Sequence, residues 1–261
     1  MIHSPGTGWA VCMKTEWDYS DLAEAYLKRP GYAPDGVAWV IAVVGAGTGD
    51  EVADVGAGVG HLGIDLAAAG LRVTAVEPND RMRALGIERT RPLGNMHWIE
   101  GTAEATGLDD ARYRIVSFGS SFNVVDRPRA LQEARRISRS DGWFCCLWNH
   151  RVLDDPIQRR IEAIIKRFVP DYSYGLRRED HGPFLQDSGM FRDVAFREFG
   201  VVHEQSIEDT IEAWQSHATL SRQSGRDFPA IVAEISRCLH GIGSPRIAIP
   251  YVTRIWLAQF A

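Results

Sequence analysis

Two carboxylates bracket a glycine turn in the first third of this chain: Asp54 lies two residues before Gly56, and Glu77 lies 21 residues after it. Between them run Gly56, Gly58 and Gly60, the helix-spaced Leu62, Leu66 and Ala67, a stop at Gly70, and a second apolar run of Val73, Ala75 and Val76. Glycines at a strand end let the backbone turn and approach a ligand where a side chain would collide. A carboxylate about twenty residues further on reaches the ribose hydroxyls of a bound nucleoside. The spacing therefore predicts a strand, a turn, a helix and a second strand around a nucleotide site, with the ligand at the strand ends.

Gly58, Gly60 and Gly63 also spell G-x-G-x-x-G, but that frame begins two residues after the turn has started, and counted from Gly56 its sixth position is His61. Asp54 would repel a pyrophosphate and suits a ligand carrying an ammonium group, which favours S-adenosylmethionine over a nicotinamide dinucleotide. The string VADVGAGVG…VTAVEP resembles motif I and the acidic second-strand end of class I S-adenosylmethionine-dependent methyltransferases. That resemblance implies an α/β, Rossmann-like fold with a seven-stranded, mostly parallel sheet, an antiparallel last strand and helical cap insertions. It implies S-adenosylmethionine as cofactor, S-adenosylhomocysteine as product, and methyl transfer to nitrogen or oxygen of a small molecule, in the setting of a biosynthetic pathway. Asp54, Gly56, Gly58, Gly60, Glu77 and Pro78 are the contacts expected from this stretch. An NAD(P)-dependent oxidoreductase built on Gly58, Gly60 and Gly63, and a non-catalytic methyltransferase-like scaffold, are the alternatives.

The elements around this stretch must position the rest of the site. Trp17 to Lys28 reads as an amphipathic helix with Leu22, Ala23, Tyr26 and Leu27 on one face. The run YSDLAEAYLKRPGYAP resembles the Tyr…Tyr-x-x-x-Arg-Pro-x-Tyr-Pro segment that opens small-molecule methyltransferases related to trans-aconitate methyltransferase. The resemblance implies that Tyr19, Tyr26 and Arg29 close over the cofactor and that Arg29 meets its methionine carboxylate. Pro34 to Val44 reads as a helix stopped by a loop with Gly45, Gly47 and Gly49, and Asn79 caps a helix to Arg89 that places Met82 beside the adenosine. After a short strand at 96–99, Gly101-Thr102-Ala103-Glu104 stands where the family carries Gly-Asp-Ala-Glu, which implies adenine contacts at Thr102, Ala103 and Glu104. Strand 114–119 runs into Gly119 and Ser120, expected at the cofactor, and then Asn123, whose amide cannot titrate and is read as orienting the substrate.

A helix over 128–138 and a strand over 142–148 lead to Trp148-Asn149-His150-Arg151 at a strand end. A helix capped by Asp155-Pro156, a polar and aromatic loop over 170–181, a strand at 194–202, a helix at 206–221 and a last strand at 247–260 follow. Segments 148–151, 172–181 and 214–217 are expected to meet on the side of the glycine turn and form the acceptor site, with Trp17, Trp148, Tyr172, Tyr174, His181, Trp214 and His217 as its walls. Methyl transfer from a sulfonium needs positioning more than covalent help. Where the acceptor must lose a proton, His150 is the first candidate base, with His181 and His217 as rivals.

At 261 residues and 45% apolar, the chain can bury one large core without disulfides or metal. The expected division is a flexible arm over 1–16 and a single domain over 17–261, comprising a cofactor core to 150, cap insertions over 151–246 and the last strand. A net charge of −5 without a long basic run argues against a nucleic-acid surface. Cys12, Cys145, Cys146 and Cys238 form no C-x-x-C pair, and reduced thiols are expected. The eight histidines form no H-x-x-x-H or H-E-x-x-H motif, so no metal is expected, and Ser120-Ser121 lacks the G-x-S-x-G elbow of a hydrolase. No signal-like opening and no 18-residue apolar run is present, so the expectation is a cytoplasmic monomer or homodimer acting on a small molecule, without nucleic acid or membrane.

Overall fold

The computed structural model describes residues 23–261. Trp17 and Tyr19, and the first half of the helix expected over Trp17 to Lys28, lie outside the described residues; its C-terminal part is helix α1, Ala23–Leu27. Seven strands form one sheet in the order β3-β2-β1-β4-β5-β7-β6. They are β1 Glu51–Val55, β2 Arg72–Val76, β3 Met96–Ile99, β4 Tyr113–Gly119, β5 Ser138–Arg151, β6 Phe191–Ser206 and β7 Arg246–Phe260. Strands β1 to β5 pair in parallel, while β7 inserts antiparallel between β5 and β6, so the architecture is the expected seven-stranded methyltransferase fold.

The strands at the centre are apolar on both faces because helices cover both. Helices α2 Pro34–Val44 and α3 His61–Ala68 pack Val37, Val40, Leu62 and Leu66 on Val52, Ile115 and Leu147 on one side. On the other, α5 Arg127–Ile137 packs Leu131, Ala134 and Ile137 with Phe118, Phe122, Phe144 and Trp256. Gly45 stops α2 at φ +62°, and Asn79 accepts the Met82 amide at 3.0 Å to start α4, Asp80–Thr90. These caps fix where each helix begins and ends relative to the strand tips.

A third apolar cluster builds the cap. Helices α6 Pro156–Phe168, α8 Ile207–Gln215 and α10 Phe228–His240 bury Ile161, Ile165, Ile211, Trp214 and Ile235 against Ile249 and Tyr251 of β7. The short helix α7, Gly182–Asp187, precedes β6. Strands β5 and β6 run 14 and 16 residues, longer than the sequence predicts, whereas β7, at 15 residues, matches the expected last strand to within one residue; β6 and β7 carry Val201, Ile249 and Tyr251 into this cap cluster. The single helix expected over 206–221 is two: α8 ends at Gln215, and His217 starts α9, Ala218–Ser224, by accepting the Leu220 amide on Nδ1 at 3.2 Å. The polar Ser216-His217 pair offers the backbone a cap, and the chain takes it.

Candidate functional site

A cleft of about 330 Å³ opens where β1, β2, β4 and β5 end. Gly56, Gly58 and Gly60 take φ of +68°, +58° and +87°, the left-handed region that disfavours any side chain. They face different neighbours. A Cβ on Gly56 would lie 2.5 Å from the Cβ of Ser121, one on Gly60 would lie 3.0 Å from the Trp98 ring, and one on Gly63 would lie 2.6 Å from the Met96 methyl group. Gly58 alone faces open space, with the Met82 sulfur at 3.8 Å as the nearest atom. The reading that all three turn glycines make room for a ligand is therefore corrected: two make room for the protein itself, and Gly60 does not line the cleft. Gly60 and Gly63 pack on β3, which leaves the dinucleotide frame without its glycine contacts to a pyrophosphate.

Glu77 follows β2 directly and is buried. Its Oε2 accepts the Gly58 amide at 2.7 Å and its Oε1 accepts the Asn79 amide at 2.9 Å, so it sets the shape of the turn as well as facing the cleft. Burial raises its pKa, and the two amides oppose that rise. Asp54 is 1% exposed, and its Oδ1 accepts the Ser117 hydroxyl at 3.1 Å. Burial pushes Asp54 up to about 7, although the Ser117 hydroxyl and the Gly63 amide favour the carboxylate. Its Oδ2 has no hydrogen-bond partner of good geometry among the described residues. An orphaned carboxylate oxygen beside a cleft is a site for a cationic donor.

Along the β2 and β3 side, Pro78, Met82, Thr102, Ala103 and Glu104 line the cleft. Thr102 and Ala105 exchange backbone bonds, and Glu104 accepts the Asp126 amide at 2.8 Å. Gly119 and Ser120 line it from β4, where Ser120 holds φ +60° and its hydroxyl lies 3.1 Å from Tyr32 Oη. From the arm, Tyr26 and Arg29 line it, with the Arg29 guanidinium 3.5 Å from the Tyr26 ring centroid. His61 ties this arm to the glycine turn. Its Nε2 donates to the Tyr26 carbonyl at 2.8 Å and its Nδ1 accepts from Arg89 at 3.2 Å, which defines one neutral tautomer. Burial lowers its pKa to about 4.

Residues from all three late segments line the same cleft: Trp148 to Arg151, Tyr174 and Arg178, and Ser216 and His217. Four residues expected there do not line it. Asn123 accepts the Trp148 indole N–H at 2.9 Å, so it orients the tryptophan and not a substrate. His181 is fully buried, stacked on Trp148 at 4.1 Å, and burial lowers its pKa to about 4, which removes it as a rim base. Tyr172 is buried edge-on against Tyr174, and Trp214 is 1% exposed beneath His217. His217 is engaged as the cap of α9: its Nδ1 accepts the Leu220 amide, so that nitrogen is already occupied in the folded chain. His150 lines the cleft and is nearly buried.

Tyr32, His61, Arg178, Gln205 and Tyr251 also line the cleft and were not among the expected site residues. Tyr32 sits within the arm segment quoted above and His61 within the turn, so both had a local signal. Gln205 and Tyr251 reach the cleft through the β6-β7 pairing, which no local pattern reveals. Among the described residues no group of three or more His, Cys, Asp or Glu side chains is arranged to hold a metal, and no helix is long and apolar enough to cross a membrane.

Residues 53–146 match the methyltransferase domain family. An uncharacterised methyltransferase of Mycobacterium tuberculosis is 34% identical over 123 residues, covering 47% of this chain and 48% of the relative. The ubiquinone/menaquinone biosynthesis C-methyltransferase UbiE of Rubrivivax gelatinosus is 33% identical over 102 residues, 38% of this chain and 39% of the relative. The chain thus spans about half the length, or less, of the curated relatives it matches. Among solved structures, a protein of Anaeromyxobacter dehalogenans provisionally described as a type II methyltransferase superposes with a TM-score of 0.65 at 20% identity, covering 88% of this chain and 97% of that one. A SAM-dependent methyltransferase from Aquifex aeolicus gives 0.57 at 14% identity, covering 94% and 100%. At these identities the superpositions establish the fold alone.

Proposed function

We propose that this chain, whose residues 53–146 match the methyltransferase domain family, is a class I S-adenosylmethionine-dependent methyltransferase that moves the methyl group of S-adenosylmethionine to a nitrogen or oxygen of a small-molecule acceptor. The observation that carries the cofactor reading is the pair of buried carboxylates around Gly58: Asp54 with an orphaned oxygen, and Glu77 closing the turn from the end of β2. Asp54 suits the ammonium of the methionine part, and Glu77 suits the ribose hydroxyls, while Met82 and Ala103 offer apolar surface to the adenine. Arg29, stacked beside Tyr26 at the cleft wall, suits the methionine carboxylate, and its cleft position supports that reading. When bound, the cofactor supplies an electrophilic methyl group.

The chain's own part is to hold the acceptor in line, exclude water and take up a proton. Trp148, fixed by Asn123, forms an apolar wall. His150 is the candidate to accept a proton from the acceptor heteroatom as the new bond forms. A carbon acceptor is the second reading, favoured by the C-methyltransferase name of the UbiE relative. Calorimetry with S-adenosylmethionine, S-adenosylhomocysteine and NADH, followed by S-adenosylhomocysteine release across an acceptor panel and NMR of the product, tests this. Binding of the first two without NADH supports the cofactor reading; NADH binding alone overturns it, and the methylated atom decides between heteroatom and carbon. Binding without turnover on any acceptor favours the scaffold alternative.

A further inference from the structure

We propose that the acceptor bears an oxyanion group, a carboxylate or a phosphate, held by Arg151 and Arg178 on the β5 side of the cleft. This rests on the methyltransferase reading above. In the sheet order, β1 and β4 separate β5 from β2, so these arginines and the Glu77 end lie on opposite flanks of the glycine turn.

Arg151 is the last residue of β5 and Arg178 ends the 3-10 turn Gly175–Arg178, and both line the cleft. The Arg151 guanidinium sits 4.5 Å from the Trp214 ring centroid and 5.9 Å from that of Tyr251, and the Arg178 guanidinium 4.6 Å from that of Tyr174. Arg178 also donates from Nη2 to the Arg151 carbonyl at 2.8 Å, which holds the two residues together. Aromatic rings cover guanidinium faces and leave N–H edges as the groups available to a ligand. The Arg151 Nε is buried with no hydrogen-bond partner among the described residues.

Neither arginine forms an ion pair with a carboxylate among the described residues, whereas Arg83, Arg112, Arg114, Arg136 and Arg254 each do. Lys28, which also lines the cleft, is paired with Asp209 at 2.9 Å and with Glu212. Burial works against the charge on Arg178, while Tyr174 and Glu162 nearby favour it and offset the repulsion from Arg254 and Arg151. A partly desolvated guanidinium without a direct ion pair is costly, and a ligand oxyanion supplies both the pairing charge and the missing hydrogen bonds. A guanidinium fork matches carboxylate and phosphate geometry, whereas an ammonium-bearing acceptor would add a third positive charge.

The test titrates benzoate, phenyl phosphate, benzamide and benzylamine into the full-length protein saturated with S-adenosylhomocysteine. Benzoate or phenyl phosphate should bind at least ~10-fold tighter than benzamide and benzylamine, and which anion wins identifies the oxyanion. Arg178→Gln and Arg151→Gln should each remove most of that preference, Arg178→Lys should keep part of it, and affinity for S-adenosylhomocysteine should stay within about twofold in all three. Circular dichroism checks folding, and Arg178→Gln carries the test if Arg151→Gln does not fold. Equal binding of neutral and anionic probes, tighter binding of benzylamine, an unchanged preference in Arg178→Gln, or no anion binding at millimolar concentration overturns the proposal. Failure of S-adenosylhomocysteine itself to bind is a separate outcome, and it overturns the methyltransferase reading instead.

Discussion

Trp148 donates its indole N–H to Asn123 across 2.9 Å, a bond that ties the end of β5 to the loop after β4 and sets the angle of the cleft's largest aromatic wall. Trp148 is 3% exposed and stacked on His181, so a lost acceptor leaves a buried donor with nothing to replace it. Asn123→Ala should therefore destabilise the fold by about 1–3 kcal/mol. It should also raise the acceptor KM while leaving S-adenosylhomocysteine affinity unchanged, whereas Asn123→Asp keeps an acceptor and should restore both. Denaturant melts and steady-state kinetics read the two effects, and a variant with wild-type stability and KM would return Asn123 to an ordinary loop position.

Glu77 has a double task, shaping the Gly58 turn and facing the ligand. Glu77→Gln keeps an acceptor for one amide but loses the charge, and should weaken S-adenosylmethionine binding by about 1.5–3 kcal/mol, the size of a hydrogen bond to a charged group. Gly58→Val should weaken it more, because φ +58° is hostile to a β-branched residue and the added side chain enters the cleft. Calorimetry on both, with folding checked by circular dichroism, decides the matter; unchanged affinity in both would move the cofactor site away from the glycine turn.

Asp54 makes stability and binding depend on pH in opposite senses. Its folded pKa, about 7, lies above its ordinary value of 3.8, so the folded ligand-free chain holds a proton that the unfolded chain has released over that interval. The stability this contributes is complete below pH 4 and is lost as pH rises towards 7, by up to a few kcal/mol. Asp54→Asn cannot titrate and should flatten this part of the pH–stability curve; the slope is the readout, since the new amide changes absolute stability as well. An ammonium beside Asp54 favours the carboxylate, so cofactor binding near pH 6.5 should release a proton, visible as buffer-dependent enthalpy in calorimetry. Binding without proton release in wild type would separate Asp54 from the methionine end.

His150 and His217 both line the cleft, but His217 holds the Leu220 amide on Nδ1 as the cap of α9 and His181 is in the core, so His150 remains the first candidate base. His150→Gln should lower kcat by about 10²–10⁴ near neutral pH, with partial recovery at high pH where the acceptor loses its own proton. Cofactor affinity should stay within about twofold. Turnover close to wild type at every pH would mean that positioning alone carries the transfer.

Local chemistry made much of this protein legible before any fold was known. A strand, a three-glycine turn, a helix and an acidic second-strand end lie within 51–78, and their spacing is imposed by backbone geometry that neighbours cannot easily override. The caps at Asn79 and Asp155 and the helix stop at Gly45 were readable for the same reason, since each satisfies backbone groups within a few residues. What each glycine is for was not readable: a side chain on Gly56 would meet Ser121 and one on Gly60 would meet Trp98, whereas one on Gly58 would have room at the cleft, and those partners come from elsewhere in the chain. The same limit applies to the polar residues of the late loops. His181 and His150 carry the same local signal, a polar side chain near a strand or loop end, yet one is stacked on Trp148 and edge-on to Trp256 in the core and the other lines the cleft. Arg178 meets Arg151, and Tyr251 and Gln205 reach the site, because β7 folds back between β5 and β6. Pairings of high sequence separation set which side chains are desolvated together, and desolvation is what turns a loop arginine or histidine into core, base or anion ligand.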